Sequence, residues 1–279
     1  MALNLDNVNR SIDPIVRHYT WKDVVLYALG IGSGFHELDY CYEKNLKVLP
    51  TFAMPAIMDF FWRVGEVANI NPMGALHGEQ ELILHHPLPQ KATLTTTGHI
   101  THMFDKGKDK GALIVAESDT VDETGTRLFT SILTVFSRLD GGFGGVNSPK
   151  KAVAFPDRNA DRIVQAFPGA DQPLLYRLSG DVFELHVDPE FAKLAGFKGP
   201  IVHGLCTMGY ACRALLSELA PMEPQRVRGM GCRFSRPLYP GASIETHIWK
   251  TGQGTALWKT LNSATGEIII DQGTFRYEA

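Results

Sequence analysis

Two residues near the middle of the chain, Asp181 and His186, bring an acid and an imidazole within five positions of each other. Gly180 directly before the aspartate predicts a turn that exposes its carboxyl group. Of all side chains, an imidazole titrates closest to neutral pH, so this arrangement is a candidate acid–base pair. A structural aspartate beside a buried histidine would have the same spacing, and the pair alone leaves both interpretations open.

The residues that follow His186 predict the elements that hold this pair. Asp188 and Pro189 suit the N-cap and the first position of a short helix. Residues 201–219 then place apolar side chains three and four positions apart, which indicates an amphipathic helix. This helix is more hydrophobic than a surface helix should be, and a central helix wrapped by a sheet would explain the excess.

The chain consists of two similar halves. HPLPQKATLTTTGHI in the first half matches RPLYPGASIETHIW in the second, with Pro87 aligned on Pro237 at an offset of 237 − 87 = 150. A later match aligns Thr124 on Thr265 at an offset of 265 − 124 = 141, and a longer hairpin in the first half accounts for the difference. Two matched blocks in the same order indicate a duplication.

Each half combines helices with strands. Thr20 and Asp23 predict the first turn of one helix, and Pro55 predicts the start of a second. Alternating β-branched and polar residues predict antiparallel strands with one buried face. These strands span 81–85, 92–103, 112–122 and 127–138 in the first half, and 228–238, 243–250, 256–264 and 267–278 in the second. The fold class is therefore α+β.

The surroundings of Asp181 and His186 resemble the signature of the hydratase 2 family, the MaoC-like (R)-specific enoyl-CoA hydratases. The family motif runs Tyr, small apolar, Ser, Gly, Asp, x, Asn, Pro, Leu, His. This chain matches it at Tyr176, Leu178, Ser179, Gly180, Asp181, Leu185 and His186. The resemblance extends to residues 76–89, 141–145 and 233–241. It looks closest to the two-repeat type, as in the hydratase part of peroxisomal multifunctional enzyme type 2.

The resemblance implies a double hot-dog fold, in which an antiparallel sheet wraps around a central helix in each of two tandem repeats. Residues 1–145 would form a non-catalytic repeat that accommodates the acyl chain. Residues 146–168, rich in glycine, proline and charge at their start, would be a linker, and residues 169–279 would carry the catalytic motif. The first 145 residues contain no GD…H motif, in agreement with this division.

The chemistry that the resemblance implies is reversible hydration of a trans-2-enoyl-CoA to an (R)-3-hydroxyacyl-CoA. Asp181 and His186 would hold the water, with His186 as base and Asp181 delivering a proton to C2; the reverse assignment is open. Gly204, at the HG step that opens the central helix, would donate its backbone N–H to the thioester oxygen as negative charge develops.

One departure from the motif lies between the two catalytic candidates, where Phe183 and Glu184 replace the family's Asn-Pro. Three explanations are open: Glu184 takes over the orienting role of the amide, Phe183 is a wall for a different acyl group, or the site is altered or impaired. The departure keeps two alternative functions in view. One is a hydratase or dehydratase of an unusual or bulky acyl thioester, and the other is a non-catalytic acyl-CoA-binding protein.

Four further residues are candidates for substrate or CoA contact besides Phe183 and Glu184. His203 lies in the HG turn, and His77 lies in LHGEQ; for both, a hydrogen-bonded structural histidine is the alternative. Arg233 and Arg236 are candidates for the CoA phosphates because guanidinium groups bind phosphate well, with solvated strand positions as the alternative.

The amino-acid composition limits the classes of molecule that this protein can be expected to bind. The net charge of −3 shows no footprint for nucleic acid, and no apolar run approaches a membrane span. Among the cysteines, Cys206 and Cys212 lie in the apolar helix and are expected to be structural thiols, which does not fit a metal site built on cysteine. The family resemblance implies a reaction without a metal or a redox cofactor. We expect an acyl-CoA substrate, a homodimer, and a cytoplasmic or peroxisomal location, although the C-terminus is not the SKL-type address.

Overall fold

The structure is a computed structural model that describes residues 3–149 and 152–279. The first half contains β1 (Ser11–Tyr19), α1 (Trp21–Gly30), α2 (Ala53–Ala56), α3 (Met58–Ala68), β2 (Ala75–Leu84), β3 (Ala92–Asp105), β4 (Ala112–Val121) and β5 (Arg127–Ser137). The second half contains β6 (Arg162–Ala166), α4 (Gln172–Tyr176), α5 (Pro189–Leu194), α6 (Gly204–Leu219), β7 (Val227–Phe234), β8 (Ile244–Gly252), β9 (Thr255–Asn262) and β10 (Ile268–Tyr277).

The strands form one antiparallel sheet in the order β1-β3-β4-β5-β2-β7-β10-β9-β8-β6. Read outward from its centre, each half has the same strand order, which is the structural form of the duplication. The halves join where β2 pairs with β7, in a register that runs from Glu79 opposite Arg233 to Ile83 opposite Gly229. Because the sheet continues across this joint, the two halves share a hydrophobic core.

A central helix packs against the sheet in each half, as the double hot-dog prediction requires. In α6, twelve of sixteen residues are buried, including Cys206 and Cys212. The corresponding helix of the first half is interrupted at Ile57, whose φ of −123° and ψ of 24° separate α2 from α3. The fold prediction is confirmed, and the unusual hydrophobicity of residues 201–219 follows from the burial of α6 on nearly every face.

The helix boundaries test two capping predictions. Thr20 is the N-cap of α1, and its backbone N–H donates to Asp23 Oδ2 over 2.7 Å, so the predicted start is confirmed. The prediction that Pro55 begins a helix is wrong, because Pro55 is the third residue of α2. Proline is tolerated there since the N–H groups of a first turn have no intrahelical acceptor to lose.

Two edge strands, β1 and β6, were absent from the strands that the sequence predicts. Both expose most of their residues, so neither shows the apolar alternation that marks a half-buried strand. β6 lies inside the predicted linker 146–168, where Arg162–Ala166 pair with β8. The domain boundaries themselves stay a prediction.

The glycine-rich segment 141–145 is held by a single carboxylate. Asp105, at the end of β3, accepts backbone N–H groups from Gly107, Gly142 and Gly144 at 2.7–2.8 Å. The N–H of Gly142 and then that of Gly107 are the main causes that lower the pKa of this carboxyl. Within the described ranges, no helix has the length and apolar character needed to cross a bilayer.

Candidate active site

A cavity of about 260 Å³ lies between the two halves, where α3, β2, the 181–186 loop, the start of α6 and the end of β7 converge. Its polar lining includes Asp181, His186 and the backbone at Gly204, and its walls are largely aromatic and aliphatic. The structure thus brings together the three residues that the sequence singled out as catalytic. Ligand pockets of this kind are largely apolar with a few convergent polar groups.

The loop that carries the pair is shaped by its neighbours in sequence. Gly180 has a φ of +137°, a conformation that favours glycine, and it turns the chain so that Asp181 faces inward. A short turn over Glu184–His186 brings the imidazole to the same side. Asp188 then caps α5 by accepting the N–H groups of Glu190 and Phe191, as predicted. The exposed helix α5 anchors the far end of the loop.

Asp181 and His186 face each other without direct contact. His186 Nε2 is 3.9 Å from Asp181 Oδ2, which is longer than a hydrogen bond. His186 Nδ1 lies 2.8 Å from the carbonyl oxygen of Ile201. A carbonyl only accepts, so Nδ1 carries the proton and the neutral ring presents the lone pair of Nε2 to the cavity. A water molecule bridging this gap would donate one hydrogen bond to each partner.

Burial acts on the two groups in opposite directions. It is the main cause that raises the pKa of the Asp181 carboxyl, while the charge of His186 and the N–H of Phe183 oppose it. It is also the main cause that lowers the pKa of His186, against the charge of Asp181 and the carbonyl of Ile201. Both shifts favour the uncharged forms, a protonated carboxyl and a neutral imidazole.

Gly204 is the first residue of α6 and lines the cavity. The N–H groups of a first helical turn have no intrahelical acceptor, and the helix dipole adds partial positive charge there. The ring of Phe234 packs so closely that a Cβ added to Gly204 would lie 2.8 Å from its Cδ1 atom. Glycine is therefore needed for the start of α6 to pack against β7.

Aromatic rings surround the rest of the cavity. Phe183 contacts Trp62 of α3 with ring centroids 5.6 Å apart, and Trp62 contacts Phe61 at 5.4 Å. His77 lies between Phe61 at 5.1 Å and Phe234 at 5.0 Å. We refer to these five residues as the aromatic collar. Its Phe61 and Trp62 belong to α3, and both line the cavity.

The cavity lining includes Phe234, which sequence reasoning did not name, and His77, which it weighed against a structural histidine. Burial lowers the pKa of His77 to about 4, so its imidazole is neutral. The pairing register between β2 and β5 shifts at Gly78, and bulges of this kind re-aim side chains near functional sites. The sequence LHGEQ shows the glycine, but only the strand pairing shows the bulge.

Other predicted contacts are placed differently. Glu184 is exposed and does not line the cavity, which argues against its replacing an orienting amide inside the site. His203 is only 1% exposed and lies behind the Asp181–His186 pair, outside the lining, so it does not face the space open to a substrate. Phe183 does line the cavity, as the wall hypothesis requires.

The structure also places Arg233 and Arg236 in different surroundings. Arg233 donates to Glu79 Oε1 over 2.7 Å across the β2–β7 joint, which gives it a structural partner. Arg236 lines the cavity, its side chain is 62% exposed, and its Nη1 is 3.7 Å from Glu267 Oε1. Arg236 is thus the better placed of the two for an anionic group at the mouth of the cavity.

Asp181, His186 and His203 offer ligand atoms that all lie within 4.8 Å of one another, so a divalent ion is geometrically conceivable. One ring nitrogen of each histidine already faces a carbonyl oxygen, because His186 Nδ1 is 2.8 Å from that of Ile201 and His203 Nε2 is 3.1 Å from that of Asp181. The expectation that no metal is required therefore stays a prediction, which we test below.

Comparison with known proteins decides the family. Residues 18–139 match the model of the MFE-2 hydratase 2 N-terminal domain, and residues 147–272 match the MaoC-like domain. The chain belongs to the MaoC-like hydratase 2 family. Members of this family are hydro-lyases, and this chain is therefore an enzyme of the hydro-lyase class.

Individual members are similar over their full length. The chain is 36% identical to 3-hydroxyacyl-thioester dehydratase Y of Mycobacterium tuberculosis, with 100% of both chains covered. It is 37% identical to a probable enoyl-CoA hydratase 2 of Dictyostelium discoideum, covering 95% of this chain and 93% of that protein. The crystal structure of a MaoC-like dehydratase from Phytophthora capsici superposes with a TM-score of 0.88 at 32% identity, covering 98% and 97% of the two chains.

Proposed function

We propose that this hydratase 2 family member catalyses the reversible addition of water to a trans-2-enoyl-CoA, giving an (R)-3-hydroxyacyl-CoA. The observation that carries the proposal is the 3.9 Å gap between Asp181 and His186, beside the N-terminus of α6 in one largely apolar cavity. Such a site offers a place for water, a place for a thioester oxygen and a wall for an acyl chain.

In the proposed mechanism, the bridging water donates one hydrogen bond to His186 Nε2 and one to Asp181. His186 removes a proton as the water oxygen bonds to C3, and the thioester oxygen gains negative charge. The Gly204 N–H stabilises this charge, since a fixed donor aimed at developing charge lowers the barrier. Protonated Asp181 then delivers its proton to C2, and transfer from His186 to Asp181 restores the starting state.

Two observations support these roles. Burial moves the carboxyl towards its protonated form and the imidazole towards its neutral form, as an acid and a base of this kind require. The similarity to a probable enoyl-CoA hydratase 2 supports the enoyl-CoA substrate. The similarity to a 3-hydroxyacyl-thioester dehydratase fits the same reaction read in reverse.

The proposal is tested by incubating the protein with crotonyl-CoA and longer trans-2-enoyl-CoA esters. We expect loss of the conjugated enone absorbance, and chiral analysis should show the (R)-3-hydroxyacyl product. Binding of acyl-CoA without turnover at any chain length would refute hydration and favour a non-catalytic acyl-CoA-binding protein. Release of free thiol would indicate thioester hydrolysis instead.

Removal of metal provides a separate prediction. We expect the rate to stay unchanged after dialysis against EDTA, because the proposed steps use only the carboxyl, the imidazole and a backbone N–H. A loss of activity that Zn²⁺ or Mg²⁺ restores would contradict this and assign the Asp181, His186 and His203 donors to a metal ion.

Phe183 is proposed to limit the acyl group at the collar. Replacing it by alanine removes a ring between Trp62 and Phe191, so we expect kcat/KM for branched or long enoyl-CoA to rise relative to crotonyl-CoA by about tenfold, the usual worth of one or two methylene groups in an apolar pocket. The measurement is the ratio of kcat/KM values across a chain-length series.

The matched control is Phe191→Ala. The ring centroids of Phe191 and Phe183 are 5.2 Å apart. Phe191 packs on the side of Phe183 away from the cavity and is not part of the cavity lining. It should lower stability without changing the substrate ratio. An unchanged ratio in Phe183→Ala would reject the wall hypothesis.

Three properties remain proposals that follow from the family resemblance. We propose that the protein uses no redox cofactor, forms a homodimer and works in the cytoplasm or the peroxisome. Light scattering of the purified protein tests the homodimer, and a fluorescent fusion of the whole natural chain tests the location.

A further inference from the structure

His203 touches both members of the candidate pair from behind. Its Nε2 lies 3.1 Å from the backbone carbonyl oxygen of Asp181. Its ring is stacked on that of His186, with centroids 3.7 Å apart and an interplanar angle of 23°. It is also the N-cap residue of α6, directly before Gly204. One buried side chain therefore connects the carboxylate loop, the imidazole and the start of the helix.

We propose that His203 is a positioning residue for hydration, holding Asp181 and His186 at their working separation without contacting the substrate. This proposal rests on the function proposed above. The Asp181 carbonyl can only accept, so the proton of the neutral His203 ring is on Nε2, and the bond fixes the backbone at Asp181. The stacked ring blocks rotation of His186 away from Asp181.

The charged groups around these rings favour a neutral His203. Burial is the main cause that holds the pKa of His203 well below its usual range, and the charges of His186 and Arg177 act in the same direction. The ring of Tyr176 covers its remaining side at 4.8 Å. A neutral ring shields His186 from water without offering a counter-charge to an imidazolium. His186 otherwise faces the carboxyl of Asp181 and the ring of Phe183 at 6.5 Å.

The buried position of His203 also argues against a simpler role, direct contact with the substrate. His203 does not line the cavity, so a contact with substrate or CoA would require the pair in front of it to move. A contact role would raise KM, whereas a positioning role lowers kcat and changes the pH dependence. These two outcomes separate the interpretations experimentally.

The test compares His203→Phe, which keeps a stacked ring but loses the bond to Asp181, with His203→Gln, which keeps an N–H donor but loses the ring. We expect kcat of His203→Phe to fall about tenfold or more, because small misplacements of reacting groups are costly. KM should stay within about twofold of wild type since ground-state binding is untouched. The N–H that is kept should make the loss in His203→Gln smaller.

The pH dependence of kcat distinguishes a positioning role of His203 from a merely structural one, which would leave it unchanged. A base must be unprotonated, and the pKa of His186 is lowered from 6.5, so the wild-type kcat should fall only below pH 6.5. Loss of the shielding ring in His203→Gln lets water reach His186 and moves this fall to higher pH. His102→Phe, which changes a histidine stacked on Phe104 in β3, is the control for the substitution itself.

Three outcomes would overturn the proposal. They are a wild-type kcat and pH profile in both variants, a loss of kcat that matches the loss of folded protein, and a raised KM with unchanged kcat. Should His203→Phe fail to fold, the pH shift in His203→Gln decides alone. A wild-type protein inactive on every enoyl-CoA would instead refute the proposed function, which keeps the two failures distinct.

Discussion

Replacing either member of the pair should abolish most of the hydratase activity. For Asp181→Asn and for His186→Gln we expect kcat to fall by about 10²–10⁴, the usual contribution of a positioned acid or base. Asparagine cannot deliver a proton to C2, and glutamine offers no basic nitrogen to the water. Both substitutions nearly preserve shape, so the loss should appear in the initial rate with crotonyl-CoA and not in the thermal midpoint.

Two matched variants control for the substitutions. Asp188→Asn makes the same change at the exposed N-cap of α5, where asparagine caps as well as aspartate. His85→Gln makes the other change at a histidine bonded to Thr130 in the first half. Both should keep wild-type rates. A rate within about twofold of wild type in Asp181→Asn or His186→Gln would remove that residue from the mechanism proposed here.

Gly204→Ala is the second substitution with a large expected effect. The added Cβ would lie 2.8 Å from Cδ1 and 3.0 Å from Cε1 of Phe234, closer than such atoms approach. The ring cannot easily move because His77 packs against it. The start of α6 must therefore shift and turn its N–H away from the thioester oxygen. Losing one such donor costs about 10²–10³ in kcat.

Steady-state kinetics with crotonyl-CoA measure this effect, and two further variants interpret it. Gly199→Ala lies in the loop before α6 where an added Cβ meets nothing within 4 Å, so it should keep wild-type kcat. Adding Phe234→Leu to Gly204→Ala makes room for the methyl group and should recover at least about tenfold of the rate if displacement of the helix start is the cause. Unchanged kcat in Gly204→Ala would show that the N–H of Gly204 is not needed.

Much of the fold follows from local pattern. The alternation in β3 and β4 and the apolar face of α6 are set by which side chains must leave water, and these elements were predicted within a few residues. The edge strands β1 and β6 escaped prediction because edge positions are exposed and carry no such alternation. The break between α2 and α3 escaped it because the residue at the break, Ile57, is not one that ends helices.

The candidate site was likewise predictable from the sequence only in part. The types and order of Asp181, His186 and Gly204 are properties of the sequence, since each needs a particular functional group or the lack of a side chain. The family resemblance added their proposed roles, and the comparisons confirmed the family and the hydro-lyase class.

Only the tertiary structure decided which other residues share the site. It placed His77 and Phe234 in the cavity wall, Glu184 in solvent and His203 behind the pair. These residues come from segments far apart in the chain, and their distances depend on how β2 pairs with β7 and how α6 packs on the strands of the second half. The sequence determined which chemical groups are available, while the joint between the two halves determined which of them meet.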